Sequence, residues 1–278
     1  FENPCRHVRR TFKPIMIPAY IISLPSETRR RQHVQAECAK YGIPAEMVDA
    51  VDMRHIEEAK LRELCSLPLR KKPKKQRYLT KGELGCALSH HQIYQTMLAR
   101  QQEFALILED DATFIQDPTS VVQAAFLQRI KQQYDFDVLL LGYVKTVARY
   151  LPYYYRRIPI KKRVTMATPQ QDFVFGTPWE QFGCGAVAYV ITRKGAEKLL
   201  NVTRKPSAVA DDWLYFEQQC SLKVLHCRPT LVLEDLENLD STIRTERPDF
   251  WKPKLSSLII RSVKGWLKNF AMNVLGFK

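Results

Sequence analysis

A chain of 278 residues with 45% hydrophobic and 26% charged residues can bury one large core, which excludes a wholly disordered protein. Its 43 Lys and Arg against 29 Asp and Glu leave a formal charge of +14, a field that favours anionic partners such as nucleic acid, phosphorylated substrates or acidic membrane head groups. The apolar runs Ala105 to Leu108 and Val138 to Leu141 fall far short of the roughly 20 residues that cross a bilayer, so no membrane-spanning segment is expected.

Tyr20 to Leu24 follows Pro18 and has the branched and aromatic composition of a buried strand, and Pro25-Ser-Glu27 opens a helix to about Tyr41. Gly42 to Ala45 stops it, and Glu46 to Asp52 reads as a short strand with its exit loop. Arg70 to Arg77, with four lysines around Pro73, is too charged to pack and reads as a surface loop. Thr80-Lys-Gly-Glu83 is a capping box, opening a helix to Leu98 whose glycine and alanine side allows a close approach. Phe104 to Glu109 is the next strand, and Pro118 marks the start of a further helix. Asp135 to Leu141 is again strand, after which Tyr143 to Phe182 turns irregular, aromatic and basic, a pattern compatible with disorder in the absence of a ligand. Strand returns over Cys184 to Ile191, then helices over Arg193 to Leu200 and Trp213 to Gln219, then strand over Lys223 to Cys227. This alternation predicts an α/β fold with a mostly parallel, Rossmann-like sheet covered by helices on both faces. Three parts are expected: an N-terminal extension over 1–16, one main domain over 17–250, and a basic tail over 251–278. In that tail Leu258, Ile259, Val263, Trp266, Leu267 and Phe270 recur at helical spacing beside Arg261, Lys264 and Lys268. Such a helix lies in an anionic membrane interface or packs its apolar face on the domain. Seven cysteines without a CxxC pair argue against a zinc knuckle or a disulfide framework, and the expected location is cytoplasmic.

Glu109, Asp110 and Asp111 carry the strongest chemical signal. Three consecutive carboxylates at the end of an apolar strand repel one another, and a fold keeps them where a cation compensates. Mg²⁺ or Mn²⁺ fits, because either takes hard oxygen ligands and bridges them to diphosphate oxygens, and open α/β sheets bind ligands beyond strand carboxyl ends. A solvated acidic turn is the bland alternative. Arginines 29 to 31 sit on the first helix, where all three cannot face one site. Of the pair Asp211-Asp212, one is a general-base candidate, or the pair is an ordinary helix cap. His226 completes a metal shell or is a satisfied core histidine. Ser89-His90 has no third triad member and no GxSxG elbow, which argues against hydrolase chemistry.

The ordered set Tyr20 to Leu24, Arg29 to Arg31, Met47 to Asp52, Leu79 to His90, Ala105 to Asp111, Gly185 to Gly195 and Asp211-Asp212 resembles glycosyltransferase family 25 over about residues 17 to 235. The resemblance implies a GT-A-like domain and an inverting, metal-dependent transferase that moves galactose, or less often glucose, from a UDP-sugar to lipooligosaccharide. It implies that Glu109, Asp110 and Asp111 stand for the family's DxD, with Asp111 the direct metal ligand; His226 is a metal-ligand candidate on residue type and position alone. Ser23, Asp49, Ala50, Val51, Gly82, Ser89 and His90 would border the donor, and Asp211 or Asp212 the acceptor; Arg29, from its charge and its place after the first strand, is a further donor-binding candidate. Two departures stand out: Ser23 where the family commonly carries Asn, and Asp52-Met53 for the usual Asp-Gly. With a lipid-anchored acceptor, the basic tail would keep the enzyme peripheral on the inner face of a bacterial inner membrane. The charge alone would suit a nucleic-acid or other anion-binding module instead, but no recognised nucleic-acid motif is present and no nucleic acid is expected as a partner.

Overall fold

Hydrophobic run after hydrophobic run builds one sheet. In the computed structural model, which describes residues 15–67, 77–179, 185–235 and 255–276, β1 (Ala19–Ser23) is buried along its whole length. α1 (Thr28–Lys40) crosses to β2 (Ala45–Asp49), and α2 (Glu58–Leu64) precedes α3 (Lys81–Ala99). The Thr80 capping box forms as expected: its hydroxyl accepts from the Glu83 amide and the Glu83 carboxylate accepts from the Thr80 amide. β3 (Phe104–Glu109), β4 (Ala112–Phe114), α4 (Ala124–Gln133), β5 (Val138–Leu140) and β6 (Gly142–Tyr143) follow. Asp117 and Pro118 make a turn rather than a helix start, since the Asp117 carboxylate accepts from the Thr119 amide and α4 begins later.

The stretch expected to be irregular is ordered as far as Trp179. It forms a 3-10 turn (Ala148–Tyr150), α5 (Leu151–Arg157) and the hairpin β7 (Ile160–Ala167) and β8 (Asp172–Pro178). A register shift between Lys162 and Val164 breaks the two-residue period of β7, which hides the strand in the sequence. β9 (Ala188–Thr192), α6 (Arg193–Thr203), α7 (Trp213–Cys220), β10 (Val224–Arg228), β11 (Val232–Glu234) and α8 (Leu255–Asn273) complete the described chain. The expected loop at 70–76, Cys184 and most of the N-terminal extension lie outside the described residues.

The main sheet has the order β2-β1-β3-β9-β5-β10-β8-β7. β2, β1, β3, β5, β10 and β7 run one way, and β9 and β8 are reversed, so the sheet is mostly parallel in direction. Side chains alternate across it. Leu106 and Leu108 of β3 join the layer under α1 and α4, whereas Ala105 and Ile107 join the layer under α3, α6 and α7. A smaller sheet, β4-β11-β6, stands at the carboxyl ends of β3 and β5, because β4 and β6 continue directly from those strands. Reversed β9 brings its amino end to the same place, where the Glu109 amide donates to the Val187 carbonyl.

Among the described residues no helix is long and apolar enough to cross a membrane. α8 lies against α5 at Gly265, where a Cβ would collide with the Arg156 carbonyl. Its apolar residues Ile259, Val263, Trp266 and Phe270 remain 43–63% exposed, with Ile259 and Val263 beside Tyr150 and Tyr153.

Candidate active site

β3 drives into the core and ends at Glu109, so Glu109, Asp110 and Asp111 emerge beyond the sheet's carboxyl edge. Arg30 meets them. Its Nε donates to Asp110 at 2.7 Å and its terminal nitrogen to Asp111 at 2.8 Å. Helical spacing explains why Arg30 and not Arg29 arrives there: Val34 and Cys38 form the buried face of α1, and Arg30 lies one turn before Val34. Arg29 is exposed, and Arg31 turns back to the Ser23 and Leu24 carbonyls and to Asp49. Ser23 donates its hydroxyl to the other oxygen of Asp110 at 2.6 Å.

Two more acids join from distant parts of the chain. β11 pairs with β4, the Asp235 amide donates to the Asp111 carbonyl at 2.8 Å, and Glu234 thereby acts electrostatically on Glu109 and Asp111. Asp211 acts on Glu109, His90 and Cys86. Asp212 takes a different part: it caps α7, accepting from the Tyr215 amide at 3.2 Å. Burial first, then Asp211, Glu234 and Asp110, push Glu109 up to about 8 against the pull of Arg30. Asp111 is raised as well, by burial and then by Glu109. The acceptor Oδ1 of Asp111 is buried without a hydrogen-bond partner. Carboxylates gathered in this way either hold protons or hold a cation, and oxygen donors fit Mg²⁺ or Mn²⁺.

Behind Glu109 lies a buried polar chain. Tyr94 and Tyr189 share a 2.8 Å hydrogen bond, Tyr189 lies 2.7 Å from Nδ1 of His90, and Nε2 of His90 faces Glu109 at 3.7 Å. Burial pulls His90 down to about 4 and holds Cys86 as the thiol. Among the described residues the Cys86, His90 and Glu109 ligand atoms lie within 4.8 Å of one another, a softer donor set than the carboxylates alone. Asp111 and His226 are not in that group. His226 sits on β10, with β9 and β5 between it and β3, fully buried, 3.2 Å from the Tyr143 hydroxyl and pulled down to about 3 by burial.

Ser23, which bonds Asp110, and Ser89, next to His90, tie the 49–51 turn to this cluster, and Asp49 pairs with Arg31. The Ala50 amide donates to the Ser23 carbonyl, the Val51 amide to the Ser89 hydroxyl, and that hydroxyl to the Gly85 carbonyl. Gly82 lies in the first turn of α3. A Cβ on Gly85 would collide with the Val51 carbonyl. Gly85→Ala is therefore expected to displace the 49–52 turn and cost about 1–3 kcal/mol of stability, read as a lower Tm; an unchanged Tm would show that α3 yields freely.

Sequence reasoning missed Glu234, although it ends the apolar run Leu231 to Leu233 just as Glu109 ends its own. It named Arg29 where the buried side of α1 selects Arg30, and it passed over the Tyr94–Tyr189 pair, which has no local signature.

A family model described as "Glycosyltransferase family 25 (LPS biosynthesis protein)" matches residues 16–214. A provisionally named glycosyltransferase of Haemophilus influenzae is 28% identical over 220 residues, covering 78% of this chain and 70% of that protein. Procollagen galactosyltransferase 1 of Danio rerio is 26% identical over 65% of this chain and 28% of its own length. A Mus musculus protein named "Inactive glycosyltransferase 25 family member 3" is 31% identical over 44% of this chain and 21% of its own. The chain thus spans under a third of either animal relative.

Proposed function

The chain belongs to glycosyltransferase family 25, and from that membership we propose an inverting hexosyltransferase that moves galactose, or in second place glucose, from a UDP-sugar to a lipooligosaccharide or lipopolysaccharide acceptor. Membership alone does not carry activity, since one relative is inactive by its own name. The observation that carries the proposal is the convergence of Glu109, Asp110, Asp111, Asp211 and Glu234 at one strand end, with Arg30 as their arginine partner.

Asp111 would hold Mn²⁺ or Mg²⁺, with Glu109 and Glu234 as neighbouring oxygen donors. The cation, when bound, supplies the neutralisation of negative charge on the departing nucleoside diphosphate. Arg30 and Ser23 fix Asp110 and so the direction of the acidic segment. The 49–52 turn and the first half of α3 receive the nucleoside. Asp211 takes the proton of an acceptor hydroxyl, whose oxygen attacks the anomeric carbon opposite the leaving diphosphate and inverts it. Asp212 keeps the helix start, and thereby Asp211, in place. Incubation with UDP-galactose or UDP-glucose, lipooligosaccharide and Mn²⁺ or Mg²⁺ tests this reading: acceptor-dependent UDP release with an inverted linkage supports it, and no release with either donor refutes it.

A pH signature follows. Cation binding needs Glu109 and Asp111 ionised, but without the cation burial keeps Glu109 protonated up to about pH 8. Binding therefore releases protons below that pH. A carboxyl raised in the fold also takes stability away as pH rises from its unfolded pKa near about 4 to its folded one. Added Mn²⁺ should accordingly raise Tm more at about pH 8 than at about pH 6; an increment that is flat or larger at the lower pH contradicts the assignment.

The exposed apolar stripe of α8, flanked by Arg261, Lys264 and Lys268, supports a peripheral position on an anionic membrane face, the cytoplasmic side of an inner membrane where a lipid-anchored acceptor would lie. Truncation after Pro253 should weaken binding to anionic vesicles and leave UDP binding intact. Unchanged vesicle binding would remove the tail from that role.

A further inference from the structure

Cys86 and His90 stand four residues apart on α3 and so share one face of that helix. The helix is fixed there, because the Thr80 capping box opens it one turn earlier and Gly85 lies against the Val51 carbonyl. Glu109 closes the group from the end of β3, where its amide donates to the Val187 carbonyl. The Cys86 sulfur, an imidazole nitrogen of His90 and a carboxylate oxygen of Glu109 all lie within 4.8 Å of one another. The chain has no CxxC signature to announce this group, since its third member comes from another element.

The space between them suits an ion better than a hydrogen bond. His90 is 1% exposed, and its Nε2 is buried without a hydrogen-bond partner among the described residues, a costly state for a polar nitrogen. Its distance to the Glu109 carboxylate is 3.7 Å, too long for a hydrogen bond. Around a tetrahedral zinc ion, with bonds of about 2.0–2.3 Å, neighbouring donor atoms stand about 3.4–3.6 Å apart, close to that separation. On its other side the ring meets the Tyr189 hydroxyl 2.7 Å from Nδ1, and Tyr189 meets Tyr94. An Nδ1–H donated to Tyr189 leaves the Nε2 lone pair turned towards Glu109, the arrangement that orients imidazoles bound to metals. Sulfur and imidazole are softer donors than carboxylates and select Zn²⁺ over Mg²⁺ or Mn²⁺. Cys86 and Glu109 are only partly buried, which gives the ion a path of entry.

We propose that Cys86, His90 and Glu109 form a binding site for a thiophilic divalent cation, Zn²⁺ by its chemistry, with a water as the fourth ligand. On binding, the Cys86 thiol gives its proton to solvent and coordinates as the thiolate. The site shares Glu109 with the candidate active site but uses neither Asp111 nor Asp211, and it stands whether or not the transferase reading holds.

The test titrates the full chain, reduced and free of other metals, with Co²⁺ as a coloured stand-in for zinc and then with Zn²⁺. The native chain should develop a thiolate-to-cobalt charge-transfer absorption that saturates and is bleached by equimolar Zn²⁺. Cys86→Ser should lose the absorption and bind Zn²⁺ at least about tenfold more weakly, the low end of the loss that follows removal of a group that merely orients a ligand. Asp111→Asn should keep both, which separates this site from the cation of the proposed transferase. Cys220→Ser, which removes a free thiol elsewhere, should match the native chain. In the native chain Zn²⁺ should also slow iodoacetamide labelling of Cys86 and not of Cys220, a readout that needs no variant and covers the case of a misfolded Cys86→Ser. Absence of the charge-transfer absorption in the native chain, its survival in Cys86→Ser, its loss in Asp111→Asn, or labelling of Cys86 that ignores Zn²⁺ overturns the proposal.

Discussion

Replacing Asp111 with Asn is expected to lower kcat/KM for UDP-sugar turnover by about 10³-fold without lowering Tm. The amide removes one negative charge from a group of acids in which burial and Glu109 already hold Asp111 above the ordinary carboxylate range. It also forfeits the charge on the hydrogen bond from Arg30 at 2.8 Å, so the effects on folding oppose each other. For a divalent cation nothing offsets the loss, because a neutral amide oxygen is a poor replacement for an anionic donor. Excess Mn²⁺ should therefore fail to restore turnover. Activity kept within a few fold would move the cation to other residues, with the Cys86, His90 and Glu109 group next in line.

Asp211→Asn should lower kcat by on the order of 10²- to 10⁴-fold while leaving UDP affinity near that of the native chain. Asp212→Asn should do neither, because Asn caps a helix about as well as Asp. The two neighbours are separable because the fold uses them differently: one oxygen of Asp212 is committed to the Tyr215 amide, whereas the charge of Asp211 bears on Glu109. The same geometry predicts a shift in the pH profile of cation binding. Asp211 is the largest electrostatic contributor, after burial, to the raised pKa of Glu109, so its neutralisation should move the acid limb to lower pH. Full activity in Asp211→Asn would exclude it as the base.

Much of the sheet and part of the site can be read from local sequence, and the boundary between legible and illegible is physical. Uninterrupted apolar runs announce β1, β3 and β9 because strands buried on both faces need no alternation. Thr80 and Glu83 announce α3 because a capping box is satisfied within four residues. Glu109 to Asp111 are conspicuous because their repulsion is local. Glu234 is different: it reaches the site through the pairing of β11 with β4, a contact that spans more than a hundred residues and leaves no periodic trace. Arg30 was distinguishable from Arg29 in principle, by extending the buried face of Val34 and Cys38 back one turn. The β7–β8 hairpin depends on register, which the shift at Lys162 to Val164 conceals, and the reversal of β9 is set by its pairing with the distant β3, which no local pattern records. His226 illustrates the opposite error, a reactive residue type whose place on β10 beside Tyr143 suits a core histidine.

The most direct test is calorimetric titration of the native chain and Asp111→Asn with UDP, each with and without Mn²⁺. UDP binding that strengthens with Mn²⁺ in the native chain and does not in the variant is the result expected of a cation held by the β3 carboxylates. Native binding that ignores Mn²⁺, or no UDP binding under any condition, contradicts a metal-assisted nucleotide-sugar site at that strand end.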